Sequence, residues 1–259
     1  MHGPRPTSLP VRTVVLGGLP VAVTDRAQAA ALMVDLALAR RGANEPPLYV
    51  TSANGQVVSL CASDPEMRAL FVPADIIHAD GMPLVFASRL RCREPLPERV
   101  ATSDLVHDLA RVAVARGASF YLLGGTAEVA EKTRANLEAA HPGLVIVGAR
   151  SGYMTTTEEA AVAEEIGAAR PDILFVSMGV PREQAFILRN RERLRGVGVA
   201  KTSGGLFDFL SGSKKRAPLW MQDAGLEWLY RLAREPRRLF VRYARTNPHA
   251  AYLLLTRSR

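Results

Sequence analysis

Asp80 stands between the apolar run Ile76-Ile77-His78-Ala79 and Gly81, so a strand ending there would present its carboxylate at a sheet edge. A carboxylate in that position can take a proton from an attacking hydroxyl, the work of a general base. The same spacing suits a turn or a helix N-cap, and from spacing alone the cap is favoured. Ser52 and Asn54 end the neighbouring apolar run. They could hydrogen-bond a sugar or phosphate, or equally cap the next helix. Arg99 lies in a polar loop after Pro95 and Pro97. Its planar fork could grip a diphosphate, although an arginine in such a loop is more often a surface residue.

Gly124-Gly125 follows Phe120-Tyr121-Leu122-Leu123, but the full G-x-G-x-x-G fingerprint is missing. The next strand ends in Gly148-Ala149-Arg150, without the acidic residue that would hold a ribose of NAD. That argues against a dehydrogenase and leaves a nucleoside diphosphate open, because a helix N-terminus attracts phosphate through backbone N–H groups alone. The histidines His2, His78, His107, His141 and His249 show no metal-ligand spacing. No metal and no cofactor is expected. Alternation along a strand would put His78 on the same face as Asp80, yet a core or rim histidine is the commoner outcome.

The elements that must position these residues alternate. Strands are expected at Leu48–Thr51, Ile76–His78, Ser119–Leu123, Leu144–Val147, Ile173–Ser177 and Val197–Thr202. Helical patterns cover Arg26–Arg41, Gln56–Cys61, Asp104–Arg116, Ala127–Ala140, Thr157–Ala169 and Arg182–Leu194. The order implies an α/β fold, a mostly parallel Rossmann-like sheet with flanking helices. Such sheets bind ligands beyond the carboxyl ends of their strands. Here five strand ends run into polar or glycine-rich turns, including Gly124-Gly125, Gly179-Val180-Pro181 and Ser203-Gly204-Gly205. One such turn would merely close a tight connection; five converging on one edge favour a nucleotide-sized site.

The chain has 259 residues, 48% of them hydrophobic, and two cysteines, Cys61 and Cys92, outside any C-x-x-C pair. That suits a cored protein of a reducing compartment. No apolar run approaches the roughly 18 residues that a membrane span needs. Val14–Val23, broken by Gly17-Gly18 and Pro20, reads as a β-hairpin rather than a signal peptide. The chain is expected to be cytoplasmic.

The formal charge of +8 is concentrated: from Lys214 onward there are 11 basic and 3 acidic residues, and the remainder is neutral. We therefore divide the chain into an α/β body, residues 1–212, and a basic helical appendage, residues 213–259. A helix from Gly225 to Arg234 should break at Pro236 before a second helix to Tyr243. Arg231, Arg234, Arg238, Arg242 and Arg245 recur every three or four residues beside Leu226, Leu229, Tyr230 and Phe240. A basic amphipathic segment of this kind lies on a membrane or on the protein's own body. Nucleic-acid binding is not expected, because no helix-turn-helix, zinc-finger or RNP pattern accompanies the charge.

Taken together these segments resemble the WecG/TagA/CpsF family of glycosyltransferases, from about Val14 to Tyr243. The motifs are Asn54, His78-Ala79-Asp80-Gly81, Glu98-Arg99-Val100, Phe120-Tyr121-Leu122-Leu123-Gly124-Gly125 and Gly179-Val180-Pro181. Most specific are Phe207-Asp208-Phe209-Leu210, Lys215-Arg216-Ala217-Pro218 and Gly225-Leu226-Glu227-Trp228-Leu229-Tyr230-Arg231-Leu232. The resemblance implies an inverting, metal-independent transferase that takes a sugar, commonly of N-acetylmannosamine type, from a UDP-sugar donor. Its acceptor would be a polyprenyl-diphosphate-linked sugar at the membrane surface, and homo-oligomers are within the family's range. It implies Asp80 as catalytic base, Ser52, Asn54, Arg99, Glu183 and Gln184 as substrate contacts, and Asp208 near the nucleotide with Gly124, Gly125 and Gly179. Arg231, Arg234, Arg238 and Arg242 would meet the acceptor diphosphate or the membrane. Glu183-Gln184 inverts the family's usual Gln-Glu, Thr102 replaces a glycine, and Gln56 replaces an acidic residue. These departures point to a different donor or acceptor. The inversion is also the main support for an alternative, a non-catalytic regulator that binds a UDP-sugar or lipid.

Overall fold

The computed structural model describes Leu9 and residues 11–259; His2 lies outside them. The chain opens with the hairpin β1 (Thr13–Leu16) and β2 (Leu19–Ala22). Gly17 and Gly18 both take positive φ, 57° and 87°, which a two-residue hairpin turn matched to strand twist requires. Helix α1 (Arg26–Ala39) starts from a capping box between Asp25 and Gln28. Then come β3 (Leu48–Ala53), α2 (Gly55–Ser63), α3 (Pro65–Phe71), β4 (Ile76–Ala79), α4 (Met82–Arg91) and α5 (Thr102–Arg116). The second half runs through β5 (Ser119–Gly124), α6 (Ala127–Ala140), β6 (Val145–Arg150), α7 (Thr156–Ala169), β7 (Ile173–Ser177), α8 (Arg182–Arg189) and β8 (Val199–Thr202).

These six later strands form one parallel sheet in the order β4-β3-β8-β7-β5-β6. Helices cover it, and its inner strands are buried along nearly their whole length, as a doubly covered parallel sheet requires. The α/β expectation is met. β3 and β4 form one wing and β5 to β8 the other, so the sequence order breaks where β3 pairs with β8. A break of this kind opens a crevice at the carboxyl edge.

Four short helices escaped the sequence reading, α3 and α4 among them. Asp64 caps α3 by accepting from the N–H groups of Glu66 and Met67, with Pro65 in the first turn. The helix expected to reach Leu194 stops at Arg189.

Beyond α9 (Leu206–Leu210) and α10 (Leu219–Asp223), the basic segment forms α11 (Glu227–Arg234) and α12 (Pro236–Thr256). α12 runs well past Tyr243, straight through Pro248. Pro248 lacks only one N–H, and tertiary packing makes up for it. Leu253 and Leu254 are buried in the cluster formed by the hairpin, α2 and α4. The C-terminus then pairs with the hairpin: Val15 and Arg259 exchange backbone hydrogen bonds at 3.0 and 2.9 Å, and the Gly18 N–H donates to Arg257 at 3.1 Å.

Candidate functional site

The strand ends converge as the crevice requires. Beyond β4, Asp80 does not cap the helix that follows it, because the N-cap of α4 is Gly81 and no side chain caps it. Its Oδ2 instead reaches the first turn of α5 and accepts from the Thr102 hydroxyl at 3.0 Å and the Thr102 N–H at 3.4 Å. Ala101, the N-cap of α5, offers no side-chain acceptor, so Asp80 supplies one from across the chain. Oδ1 accepts no hydrogen bond among the described residues and is left for the pocket. Burial raises the Asp80 pKa above the ordinary carboxylate value, and Lys201, Arg99 and the Thr102 bond pull against that rise.

Asp80 lines a small pocket of about 140 Å³ together with Ser52, Asn54, Thr102 and Glu183. Asn54 also caps α2, accepting from the Val57 N–H at 3.1 Å. Glu183 is buried, and its Oε2 accepts from the backbone N–H groups of Gly204 at 2.8 Å, Gly179 at 3.2 Å and Met178 at 3.3 Å. It therefore staples the turn after β7 to the turn after β8. Burial raises its pKa, opposed by the N–H groups of Gly204, Met178 and Ser203 and by Lys201. Gln184, also buried, donates to Glu183 at 3.2 Å, and its own carbonyl oxygen has no partner among the described residues.

Val180, Gly204, Gly205, Phe209 and Arg231 are shared with a larger cleft of about 690 Å³. That is the size of a small-molecule site. Its floor includes Gly125, Gly152, Gly179 and Asp208; its outer wall is α11 and α12, with Arg231, Arg234, Arg238 and Arg242. Gly124 lies beneath this floor, and a Cβ there would meet the Ser177 carbonyl oxygen at 2.4 Å. Asp208 pairs with Lys214 at 2.8 Å. Arg231 pairs with Glu227 at 3.2 Å and stacks over Phe209, whereas Arg238 is tied to Glu235. Arg242 lies over Tyr243. Arg234 meets no carboxylate among the described residues. Arg99 sits behind the small pocket, with its fork on Glu227 and Gln222 at 3.0 and 3.3 Å.

The sequence reading missed Lys201, in the middle of the sheet and fully buried. A lysine inside an otherwise apolar strand was the signal for it. It also missed Thr102 as the partner of Asp80, and Glu227 and Gln222 as those of Arg99. His78 is a core residue. It is fully buried with neither ring nitrogen bonded among the described residues, and burial pushes its pKa down to about 3.

The carboxyl edge of a parallel α/β sheet thus brings a half-buried carboxylate beside a cleft walled by lysine and arginine side chains. The model of the glycosyl transferase WecG/TagA/CpsF family matches residues 14–259, and the chain belongs to that family. It is accordingly a glycosyltransferase of cell-surface polysaccharide synthesis. Among the described residues no helix is long and apolar enough to cross a membrane.

Proposed function

We propose that the chain is an inverting, metal-independent transferase that moves a hexose of N-acetylmannosamine type, or a related uronic acid, from a UDP-sugar to a polyprenyl-diphosphate-linked acceptor. The observation that carries this reading is Asp80: half-buried at the sheet edge, oriented through one oxygen by Thr102, with the other left for the pocket. In the ionised form it takes the proton of the acceptor hydroxyl as that oxygen attacks the anomeric carbon, and UDP leaves from the opposite face. The larger cleft then takes the nucleotide, and the Lys214 and arginine side chains along its wall offset the charge of the leaving diphosphate. The same wall suits an acceptor diphosphate delivered from the cytoplasmic membrane surface, where a basic helix meets anionic headgroups.

Glu183 of the inverted pair is held by backbone donors, which supports a structural part for it at the strand ends; the second reading, a binding-only protein, predicts UDP binding without turnover. The test is UDP release from a panel of UDP-sugars with a short-chain polyprenyl-diphosphate-sugar. Acceptor-dependent release that is lost in Asp80→Asn is expected. UDP binding without release under any pairing would refute the transferase.

A further inference from the structure

Lys201 sits at the centre of the sheet, on the strand that joins its two wings, and its side chain is fully buried. An ammonium group there is costly unless it is hydrogen-bonded and charge-balanced. Two bonds hold it: Nζ donates to the Thr202 carbonyl at 2.7 Å and to Ser52 Oγ at 2.9 Å. The second bond continues. Ser52 Oγ lies 3.3 Å from Thr102 Oγ1, which in turn donates to Asp80 Oδ2 at 3.0 Å.

This chain has one consistent sense. Lys201 has only protons to give, so Ser52 accepts from it and keeps its own hydroxyl proton for Thr102. Thr102 then has its proton free for Asp80, and Asp80, when ionised, can only accept. Every link has one donor and one acceptor, and the ends are an ammonium and a carboxylate.

The charges agree. Asp80 beyond β4 and Glu183 on α8 are the carboxylates that stabilise the Lys201 ammonium. His78 on β4 lies close enough to feel Lys201 but stays neutral. From the remaining sides Asp80 feels Arg99 and Glu227, and Arg216 feels Asp80. Arg99 and Arg216 are already engaged by Glu227 and Asp104. That leaves Lys201, among the described residues, as the cation tied to Asp80 through hydrogen bonds rather than engaged by another carboxylate at ion-pair distance.

We infer that Lys201 is the positioning residue of the transferase: through Ser52 and Thr102 it fixes which oxygen of Asp80 faces the acceptor, and its charge holds that half-buried carboxylate in the form that can take a proton. The inference rests on Asp80 being the base and adds what makes it one.

The test is Lys201→Met, which keeps side-chain length and puts an apolar group in an apolar sheet, beside Thr102→Val, which breaks the hydroxyl chain and leaves the charge. Lys201→Met is expected to lower kcat at neutral pH at least about tenfold, with the KM for the UDP-sugar within about twofold. It should also move the acid limb of the kcat profile to higher pH by about one unit. Thr102→Val should lower kcat with a smaller movement of that limb. The Asp80 carboxyl is followed in parallel by carbon-13 NMR of aspartate-labelled protein, assigned with Asp80→Asn. Its titration should rise by about one unit in Lys201→Met. An unmoved Asp80 titration would overturn the inference whatever happens to kcat, and so would a Lys201→Met profile that superimposes on wild type. Should wild type show no transfer at all, the proposed function falls while the titration still decides the coupling.

Discussion

Arg99 and Glu227 form an ion pair at 3.0 Å, with both side chains mostly shielded from solvent, and so tie the loop behind Asp80 to the first turn of α11. The pair is a direct polar link between the sheet edge and the basic helices. Breaking one side of a shielded pair leaves the other charge uncompensated. Glu227→Ala is therefore expected to loosen α11 and to speed tryptic cleavage at Arg231 and Arg234 several-fold. The swap Arg99→Glu with Glu227→Arg should restore resistance without restoring transfer. Cleavage of Glu227→Ala at the wild-type rate would show that the pair does not hold the helix.

Asp80 should set the acid side of the activity profile. Its pKa is raised by burial, and a base must be ionised to act, so activity is lost as pH falls through that raised value. The acid limb is expected above the ordinary carboxylate range, and Asp80→Asn should cost about 10²- to 10⁴-fold in kcat. Arg99→Gln removes a charge that favours the ionised form and should push the limb further up. A limb at or below pH 4 would contradict the burial argument.

Much of this was legible in the sequence, for identifiable reasons. Runs such as Phe120-Tyr121-Leu122-Leu123 and Ile173-Leu174-Phe175-Val176 are apolar on both faces and bounded by glycine or polar residues, so the sheet and its polar edge could be read directly. Asp80 could be picked out, but not what it bonds. Its partner Thr102 is 22 residues away, and only the placement of α5 brings the two together. The full length of α12 beyond Tyr243 was hidden, because Pro248 disfavours a helix interior. Leu253 and Leu254 override it by burial against the hairpin, which no local pattern shows.

The four arginines of the outer wall should not contribute equally. Arg231 and Arg238 each have a carboxylate at hand, whereas Arg234 has none among the described residues. A free guanidinium offers its whole fork to a phosphate. Arg234→Ala is expected to raise the KM for a short-chain polyprenyl-diphosphate acceptor about tenfold, corresponding to about 1.4 kcal/mol. Arg238→Ala should raise it less. Equal effects, or none, would argue that the cleft does not take the diphosphate there.

Leu253 belongs to the core beneath the hairpin although it lies six residues from the C-terminus. Leu253→Ala should lower the unfolding free energy by about 2 to 5 kcal/mol, read from urea midpoints. Removal of residues 213–259 should do worse, because it exposes the face of the hairpin, α2 and α4 that α12 covers. A truncated body as stable as the full chain would show that α12 adds nothing to that core.

Lys201 should leave its mark on stability as well as on rate. Burial lowers its pKa from 10.5 to about 8, with Asp80 and Glu183 opposing the fall. Between those values the unfolded chain binds a proton that the native chain does not, so native stability rises with pH across that window. Below about 8 both states hold the proton, and the cost of burying the charge is borne in full. Lys201→Met removes that term. Relative to the variant, wild type should therefore gain on the order of 3 kcal/mol between pH 7 and pH 10.5. Urea unfolding of both proteins across that range tests it directly. Parallel curves would mean that the native ammonium is as well satisfied as the unfolded one. The opposite slope, with wild type losing ground to the variant as pH rises, would mean that Asp80 and Glu183 bind the ammonium more tightly than water does.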